Sequence, residues 1–297
     1  MIGKHSLEIK YHFLKVILSC FFTYEQLFNK PDKRYDAFFA SILGDGDGDF
    51  PDQVRILNWN YDFQFEKAYS EYYLNYELTS LQRRLKIFDS VVNPGYNTGF
   101  GIFKLNGTTT LRENSVEGPF WHLNEKVNEF ETSKLILSFL TAFDYVRSDP
   151  KNYSTNLSFA WEATWNERIR NFLSLAERAV VNNEVLVVIG YCFPFFSRSI
   201  DKRMLNSLLL NKVYIQDTEP ENVQSSILSV LPQTFKGEIE LLKIFPSKDK
   251  VSQFFLHSSF LVELSHLTKS KVCLMLFYFR LLYQSVFNGI NMLYRSV

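Results

Sequence analysis

The sequence predicts an α/β protein built on a doubly wound, mostly parallel sheet. Short apolar runs of strand length alternate with longer segments of helical periodicity along most of the chain. The clearest strand is Val185–Ile189, five consecutive apolar residues of the kind that is buried on both faces of a parallel sheet. A second buried strand begins at Arg55 and runs into a helix after a short polar turn. Repeated strand–turn–helix units of this kind place helices on both faces of one sheet.

The N-terminal part begins with two predicted helices, over residues 7–28 and 35–43. The acidic loop GDGDGDF, residues 44–50, lacks the glycine and glutamate positions that a calcium loop needs. In RILNWNYDFQFEKAY, residues 55–69, the strand ends in polar residues and a helix follows. Asp62 is suited to cap that helix, so a structural role is favoured for it over a role in a site.

The later elements follow the same alternation. Strands are predicted over residues 85–93, 102–105, 185–189, 211–217 and 237–245, and helices over residues 156–180, 200–210, 219–231 and from about 249. Residues 109–160 interrupt the alternation and predict a helical insertion in a domain that spans residues 1–266. Residues 267–297 contain the apolar stretch VCLMLFYFRLLYQSVFNGINMLY, in which Arg280, Gln284 and Asn288 recur at helical spacing. This spacing favours an amphipathic C-terminal helix over a membrane span.

Composition narrows the classes of function. The formal net charge is zero, which argues against a protein that binds nucleic acid through bulk charge. The three cysteines lie far apart and the five histidines show no metal-ligand spacing, so no metal site is predicted. The few scattered cysteines favour a reducing, cytoplasmic setting, and the N-terminus lacks the features of a signal peptide. No membrane association is predicted.

Polar or glycine-containing turns follow four of the predicted strands. They contain Asn58, Asn60 and Asp62; Asn106, Gly107 and Thr108; Gly190 and Tyr191; and Asp217. Open α/β sheets bind their ligands at the carboxyl ends of the strands, so these turns predict a binding site along one edge of the sheet. The chain contains no nucleophile elbow, no Walker loop and no G-x-G-x-x-G.

Four segments resemble motifs of one known family. NWNYDFQFEKA is similar to T-x-N-Y-D-x-x-x-E, FKLNGT to K-L-H-G-S, and VVIGYCFPFFSRSIDKRML to I-G-Y-S-F-P-x-F-N-R-x-I-D, while VYIQDTEPENV resembles the strand that follows. They occur in the family's order over residues 55–223, and the family is that of the sirtuin-like NAD-binding proteins of bacterial anti-phage defence. The resemblance implies a Rossmann-like domain that binds NAD+, cleaves its bond to nicotinamide and depletes the NAD+ of the infected cell.

The resemblance also implies roles for single residues. Asn60 matches the catalytic asparagine of N-Y-D, although local capping of the strand end is the alternative. Gly190 and Tyr191 are expected to form the wall under the nicotinamide-side ribose. Cys192 stands where the family has serine; the alternative for it is a buried, inert thiol.

Three further positions complete the predicted cofactor-binding set. Asp217 is placed to accept a hydrogen bond from the adenosine ribose, with a simple turn as the alternative. Asp62 and Gly107 are the other two members. Arg198 and Asp201, in the third motif, are predicted to pair with each other rather than contact the ligand.

Two differences from the family bear on activity. Asn106, assigned to the catalytic set, replaces the histidine of K-L-H-G; an amide holds a hydroxyl or a water but accepts no proton near neutral pH. His122 is a possible substitute, although a structural role is favoured for it. The family also begins with a strand and a G-A-G-x-S loop that binds the diphosphate. This chain begins at what resembles the helix after that loop, so the first strand and the phosphate loop are predicted to be missing.

These observations lead to two expectations. The first is an NAD+ glycohydrolase of anti-phage defence with impaired activity. The second is a catalytically inactive nucleotide-binding or scaffolding module of a defence complex. A homo-oligomer or a defence-system partner is expected in either case, and deacylation is disfavoured because the zinc-binding cysteines of classical sirtuins are absent.

Overall fold

Helices and strands alternate over residues 167–243, whereas the N-terminal half contains consecutive helices and consecutive strands. The computed structural model describes residues 2–31, 33–43, 50–73, 78–90, 99–109, 111–113, 116–117, 132–149, 153–243 and 272–276. The helices are α1 (Ile2–Phe28), α2 (Lys33–Ile42), α3 (Gln64–Tyr73), α4 (Leu78–Arg84), α5 (Thr132–Ser148), α6 (Glu167–Val180), α7 (Arg198–Asn206) and α8 (Pro220–Leu228). The strands are β1 (Val54–Asn58), β2 (Ile87–Phe88), β3 (Gly101–Lys104), β4 (Leu111–Glu113), β5 (Val116–Glu117), β6 (Tyr153–Thr155), β7 (Val185–Ile189), β8 (Lys212–Asp217), β9 (Glu238–Lys243) and β10 (Val272–Leu276).

The main sheet has seven strands in the order β2-β3-β1-β10-β7-β8-β9. All of its strand pairs are parallel, which confirms the predicted α/β class with a parallel sheet. Side chains of β7 alternate between two cores: Leu186 and Val188 pack with α6, α7 and α8, whereas Val185 and Val187 pack with α2 and α3. Burial on both faces explains why β7 is an uninterrupted apolar run.

The centre of the sheet corrects one prediction. β10 lies between β1 and β7, with Val272 in register with both Val54 and Val185. The predicted C-terminal helix is therefore wrong for Val272–Leu276. The physical reason is that a continuous apolar run, here with Cys273 fully buried, suits a strand covered on both faces. The C-terminal strand β10 thus occupies the centre of the sheet, while the predicted absence of the first strand and the phosphate loop stays a prediction. The helical spacing of Arg280, Gln284 and Asn288 lies outside the described residues.

The insertion between β3 and α6 is only partly helical. β4 pairs antiparallel with both β5 and β6 in a small separate sheet, and α5 is its helical part. The predicted helix over residues 156–180 is also shorter than expected. A 3₁₀ helix, Ala160–Thr164, is followed by Asn166, whose side chain accepts a hydrogen bond from the backbone N–H of Ile169 and starts α6 there.

Helix α1 packs on two partners. Val16 and Cys20 contact Ala142 and Val146 of α5, and a second apolar cluster joins α1 to the segments that follow β1 and β6. The second cluster consists of Leu18, Phe22, Tyr61, Leu157 and Phe159. None of the helices in the described part of the chain combines the length and apolar character that crossing a membrane requires.

Candidate functional site

The turns that follow β1 and β3 lie side by side. The two strands are neighbours, with Asn58 in register with Lys104. Beyond the strands, the Leu105 N–H donates to the carbonyl of Asn58 at 2.8 Å, and the Thr109 N–H donates to the carbonyl of Tyr61 at 3.1 Å. The structure therefore brings the turn with Asn60 and Asp62 against the turn with Asn106 and Gly107.

Asn106 is fixed in one orientation. Its side-chain N–H₂ donates to the carbonyl of Trp59 at 2.9 Å, and its backbone carbonyl accepts from the Ser158 N–H at 2.8 Å. The side-chain oxygen Oδ1 is buried and has no hydrogen-bond partner among the described residues. Because a buried acceptor without a partner costs about 1–3 kcal/mol, this oxygen is suited to a ligand hydroxyl or a water molecule.

Gly107 has a clear structural role. Its φ is +72°, and a Cβ at this position would lie 1.9 Å from the carbonyl oxygen of Asn156. Only glycine allows residues 156–158 to approach the turn this closely. Its predicted cofactor-binding role stays a prediction beside this one.

Asn60 is held by two hydrogen bonds. Its backbone N–H donates to the side-chain oxygen of Asn58 at 2.8 Å, and its side-chain N–H₂ donates to the hydroxyl of Tyr35 on α2 at 3.3 Å. The local bond uses the side chain of Asn58, whereas the Asn60 amide is held by a residue of a distant helix. Local capping by the Asn60 side chain, the alternative role expected for it, therefore stays a prediction. Tyr35 could not be predicted as a partner of Asn60, because α2 precedes β1 and only the folded chain brings the two together.

Asp62 starts helix α3 and sits beside a buried ion pair. Its carboxylate accepts from the Gln64 N–H at 3.2 Å, as the predicted capping role requires. Burial raises the pKa of Asp62 to about 6, partly offset by the nearby Lys104 ammonium. The Lys104 ammonium donates to the carbonyl of Asp62 at 2.6 Å and to both carboxylate oxygens of Glu66, at 2.8 and 3.0 Å. Lys104 and Glu66 were not among the predicted site residues, although a lysine inside an apolar strand was a usable signal.

The end of β7 reaches the same region through an aromatic stack. Gly190 has a φ of +62°, and the ring of Tyr191 stacks on Trp59 with centroids 5.5 Å apart. The Tyr191 hydroxyl donates to Asp201 at 2.7 Å. Burial raises the pKa of Asp201 to about 8, which keeps this carboxyl group largely protonated at neutral pH.

Two predictions about this turn are wrong. Asp201 accepts a hydrogen bond from the Tyr191 hydroxyl, and no ion pair with Arg198 is found among the described residues, because burial keeps the Asp201 carboxyl group largely protonated. Cys192 is exposed, so the alternative of a buried, inert thiol does not hold. The exposed thiol stays a predicted member of the cofactor-binding set.

Asp217 stands apart from these turns. It ends β8, which pairs with β7 on the side away from β10. Its carboxylate accepts from the Glu219 N–H at 2.9 Å and from the Thr218 hydroxyl at 3.3 Å. Within the described part of the chain these local bonds match the turn expected as the alternative for Asp217.

The chemistry of the site is that of neutral amides and hydroxyls. No group of three or more His, Cys, Asp or Glu side chains in the described residues is arranged to hold a metal ion. His122 and the GDGDGD sequence lie outside the described residues. Comparisons with models of known protein families, with curated proteins and with solved structures gave no match for this chain.

Proposed function

We propose that this chain binds NAD+ at the carboxyl edge of β1 and β3 and slowly hydrolyses its bond to nicotinamide. The sheet would then be a Rossmann-like, doubly wound sheet, and the setting would be anti-phage defence in the bacterial cytoplasm. The four motif resemblances support this function. The structural observation that carries it is the buried, unpartnered Oδ1 of Asn106, a fixed acceptor at a strand end.

The chemistry of the reaction fits neutral acceptors at this edge. Cleavage of the glycosidic bond develops positive charge on the ribose, which hydrogen-bond acceptors on its hydroxyl groups stabilise. Asn106 Oδ1 is fixed as such an acceptor, since its N–H₂ is held by Trp59. An amide takes no proton at neutral pH, so general-base catalysis, worth about 10²–10⁴-fold, is missing at Asn106.

Nicotinamide release from NAD+ tests this function. We expect a slow rate in the parent protein, a faster one in Asn106→His and none in Asn60→Ala. The matched control is Ser225→Ala on α8, an exposed hydroxyl that bonds to its own helix. A rapid parental rate that survives Asn60→Ala would show that the site has been misassigned.

A catalytically inactive nucleotide-binding or scaffolding module is the second candidate. It is favoured by the bond from the Asn60 amide to Tyr35, which already engages this side chain inside the fold. This candidate is supported if calorimetry shows that NAD+ binds, no nicotinamide is released, and Asn106→His changes neither result. In both cases we propose, from the resemblance, that the chain assembles with itself or with another defence protein.

A further inference from the structure

One face of α1 runs along the candidate site. The Lys15 ammonium donates to Glu162 at 2.7 Å, the ring of Phe22 packs on Tyr61, and the Gln26 side chain accepts from the Phe63 N–H at 2.6 Å. Residues four positions apart share a face of a helix. Ser19 and Thr23 therefore lie on this face, between the Lys15 contact and the Gln26 contact.

The hydroxyl groups of Ser19 and Thr23 differ from others on helices of this protein. The Thr141, Ser174 and Ser225 hydroxyls each donate to the carbonyl four residues earlier, at 2.8, 3.0 and 3.1 Å. Ser19 and Thr23 are 0% and 2% exposed, and neither hydroxyl has a partner among the described residues. Any Ser or Thr in a helix can donate a hydrogen bond to the carbonyl four residues earlier. The Ser19 and Thr23 hydroxyls do not make this bond.

The segments packed around this face carry further unpartnered polar atoms. They are the side-chain N–H₂ of Asn58, the Oδ1 of Asn106 and the hydroxyl of Thr109, all buried. Thr109 is hydrogen-bonded to Tyr61, which packs on α1, and Asn106 to Ser158, which lies between two residues of the α1 cluster. Native proteins leave few buried polar groups without a partner, so this concentration points to a polar ligand.

Both buried lysines of this region are neutralised by ion pairs, and burial raises the pKa of the Asp62 carboxyl group, which already accepts from the Gln64 N–H. Lys15 pairs with Glu162, and Lys104 pairs with Glu66, both inside the fold. The unpartnered groups are hydroxyls and amides, which both donate and accept. A phosphate would require spare cations or helix N–H groups, and a metal ion would require carboxylates. A neutral group with several hydroxyls satisfies such a set best.

We propose that α1 is a wall of the ligand site and that Ser19 and Thr23 bind the hydroxyl groups of a ribose. The assignment rests on the proposed function, because NAD+ is the ribosyl compound that this function supplies. It adds ligand contacts from a helix that precedes all of the motifs in the chain. Ser19 and Thr23 thereby become specificity residues that distinguish ribose from deoxyribose.

Binding of paired ligands to the full chain tests the proposal. The probes are NAD+ and ADP-ribose, each compared with analogues that lack a ribose hydroxyl, against the parent, Ser19→Ala, Thr23→Val and the double variant. Each single change should weaken binding of the ribose forms by about 3- to 10-fold and reduce their preference over the deoxy forms. The controls are Ile17→Ala, at an exposed position of α1, and Ser225→Ala. They should change neither the affinity for the ribose forms nor the preference over the deoxy forms.

Thermal unfolding without ligand separates binding from a structural role. The variants replace unpartnered hydroxyls by apolar groups of similar shape, so Tm should stay the same or rise. A Tm lowered by several degrees would overturn the proposal, because the hydroxyls would then serve the fold.

The binding results separate this proposal from the proposed function. Unchanged NAD+ affinity in the double variant overturns the ribose-binding proposal and leaves the hydrolase function intact. If the variants lose their preference for ribose and the protein releases no nicotinamide, the ribose-binding proposal is upheld and the hydrolase function is refuted. A parent that binds none of the probes overturns both.

Discussion

The buried ion pair between Lys104 and Glu66 gives the sharpest test of how the site is held. Both side chains are 0% exposed, and the ammonium makes three hydrogen bonds that join β3, α3 and the turn after β1. Lys104→Met removes all three. It leaves the Glu66 carboxylate buried, with one described hydrogen bond, from Gln82 at 3.1 Å.

The size of the effect follows from this burial. Removing one member of a buried pair leaves an uncompensated charge, and we expect Lys104→Met to lower the free energy of unfolding by about 3–5 kcal/mol. Glu66→Leu should cost a similar amount. The double variant removes both charges and takes away only the bonds from Lys104 to the Asp62 carbonyl and from the part-buried Gln82 amide to Glu66, a loss of about 1–3 kcal/mol. The two changes should therefore be strongly non-additive.

Denaturant unfolding followed by tryptophan fluorescence measures all three variants. The matched control is Arg147→Met, which breaks an exposed pair with Asp144, of the kind worth about 0–1 kcal/mol. A loss below about 1 kcal/mol in Lys104→Met, or a double variant no more stable than either single one, would refute the reasoning about burial.

Two further predictions follow from the structure. Asp201 has a folded pKa of about 8, raised by burial, so its contribution to stability is complete below about pH 4 and is lost as pH rises through 8. Between these pH values the free energy of unfolding should fall by on the order of 1 kcal/mol per pH unit. Asp201→Asn keeps an acceptor for Tyr191 and should remove this fall, measured by urea unfolding at a series of pH values. The same pH dependence in parent and variant would contradict the prediction. Deletion of residues 267–297 removes β10 and should abolish cooperative thermal unfolding, because β1 and β7 lose their shared neighbour; a cooperative transition in the truncated protein would place β10 outside the core.

Strands that are buried on both faces could be predicted from the sequence. Val185–Ile189 has the predicted bounds, and the strand after Arg55 ends at Asn58 as expected, because burial on two faces leaves an apolar run that ends where the turn begins. At Val272–Leu276 the same apolar signal led to a wrong prediction, a helix where the structure has a strand. A short apolar run does not distinguish a central strand from a buried helix, and the polar spacing beyond it favoured the helix.

The partners of the site residues could not be predicted. Asn60 bonds to Tyr35, 25 positions earlier, and Lys104 bonds to Glu66, 38 positions earlier. No local periodicity encodes such pairs, which depend on strand order and on how α2 and α3 pack on the sheet. The polar turns themselves were predictable, because a polar residue directly after a buried strand is a local pattern.

The place of β10 makes the candidate site depend on distant parts of the chain. Strands β2, β3 and β1 form one half of the sheet, β7, β8 and β9 form the other, and β10 joins them. The Trp59–Tyr191 stack bridges the same two halves, since Trp59 follows β1 and Tyr191 follows β7. Without β10, each half would expose an edge of unpaired backbone groups, and the stack would lose the strand that sets the spacing between its two rings. The turns of the site therefore reach their final arrangement only when the C-terminal strand has joined the sheet, so changes in β10 should alter ligand binding without contacting the ligand.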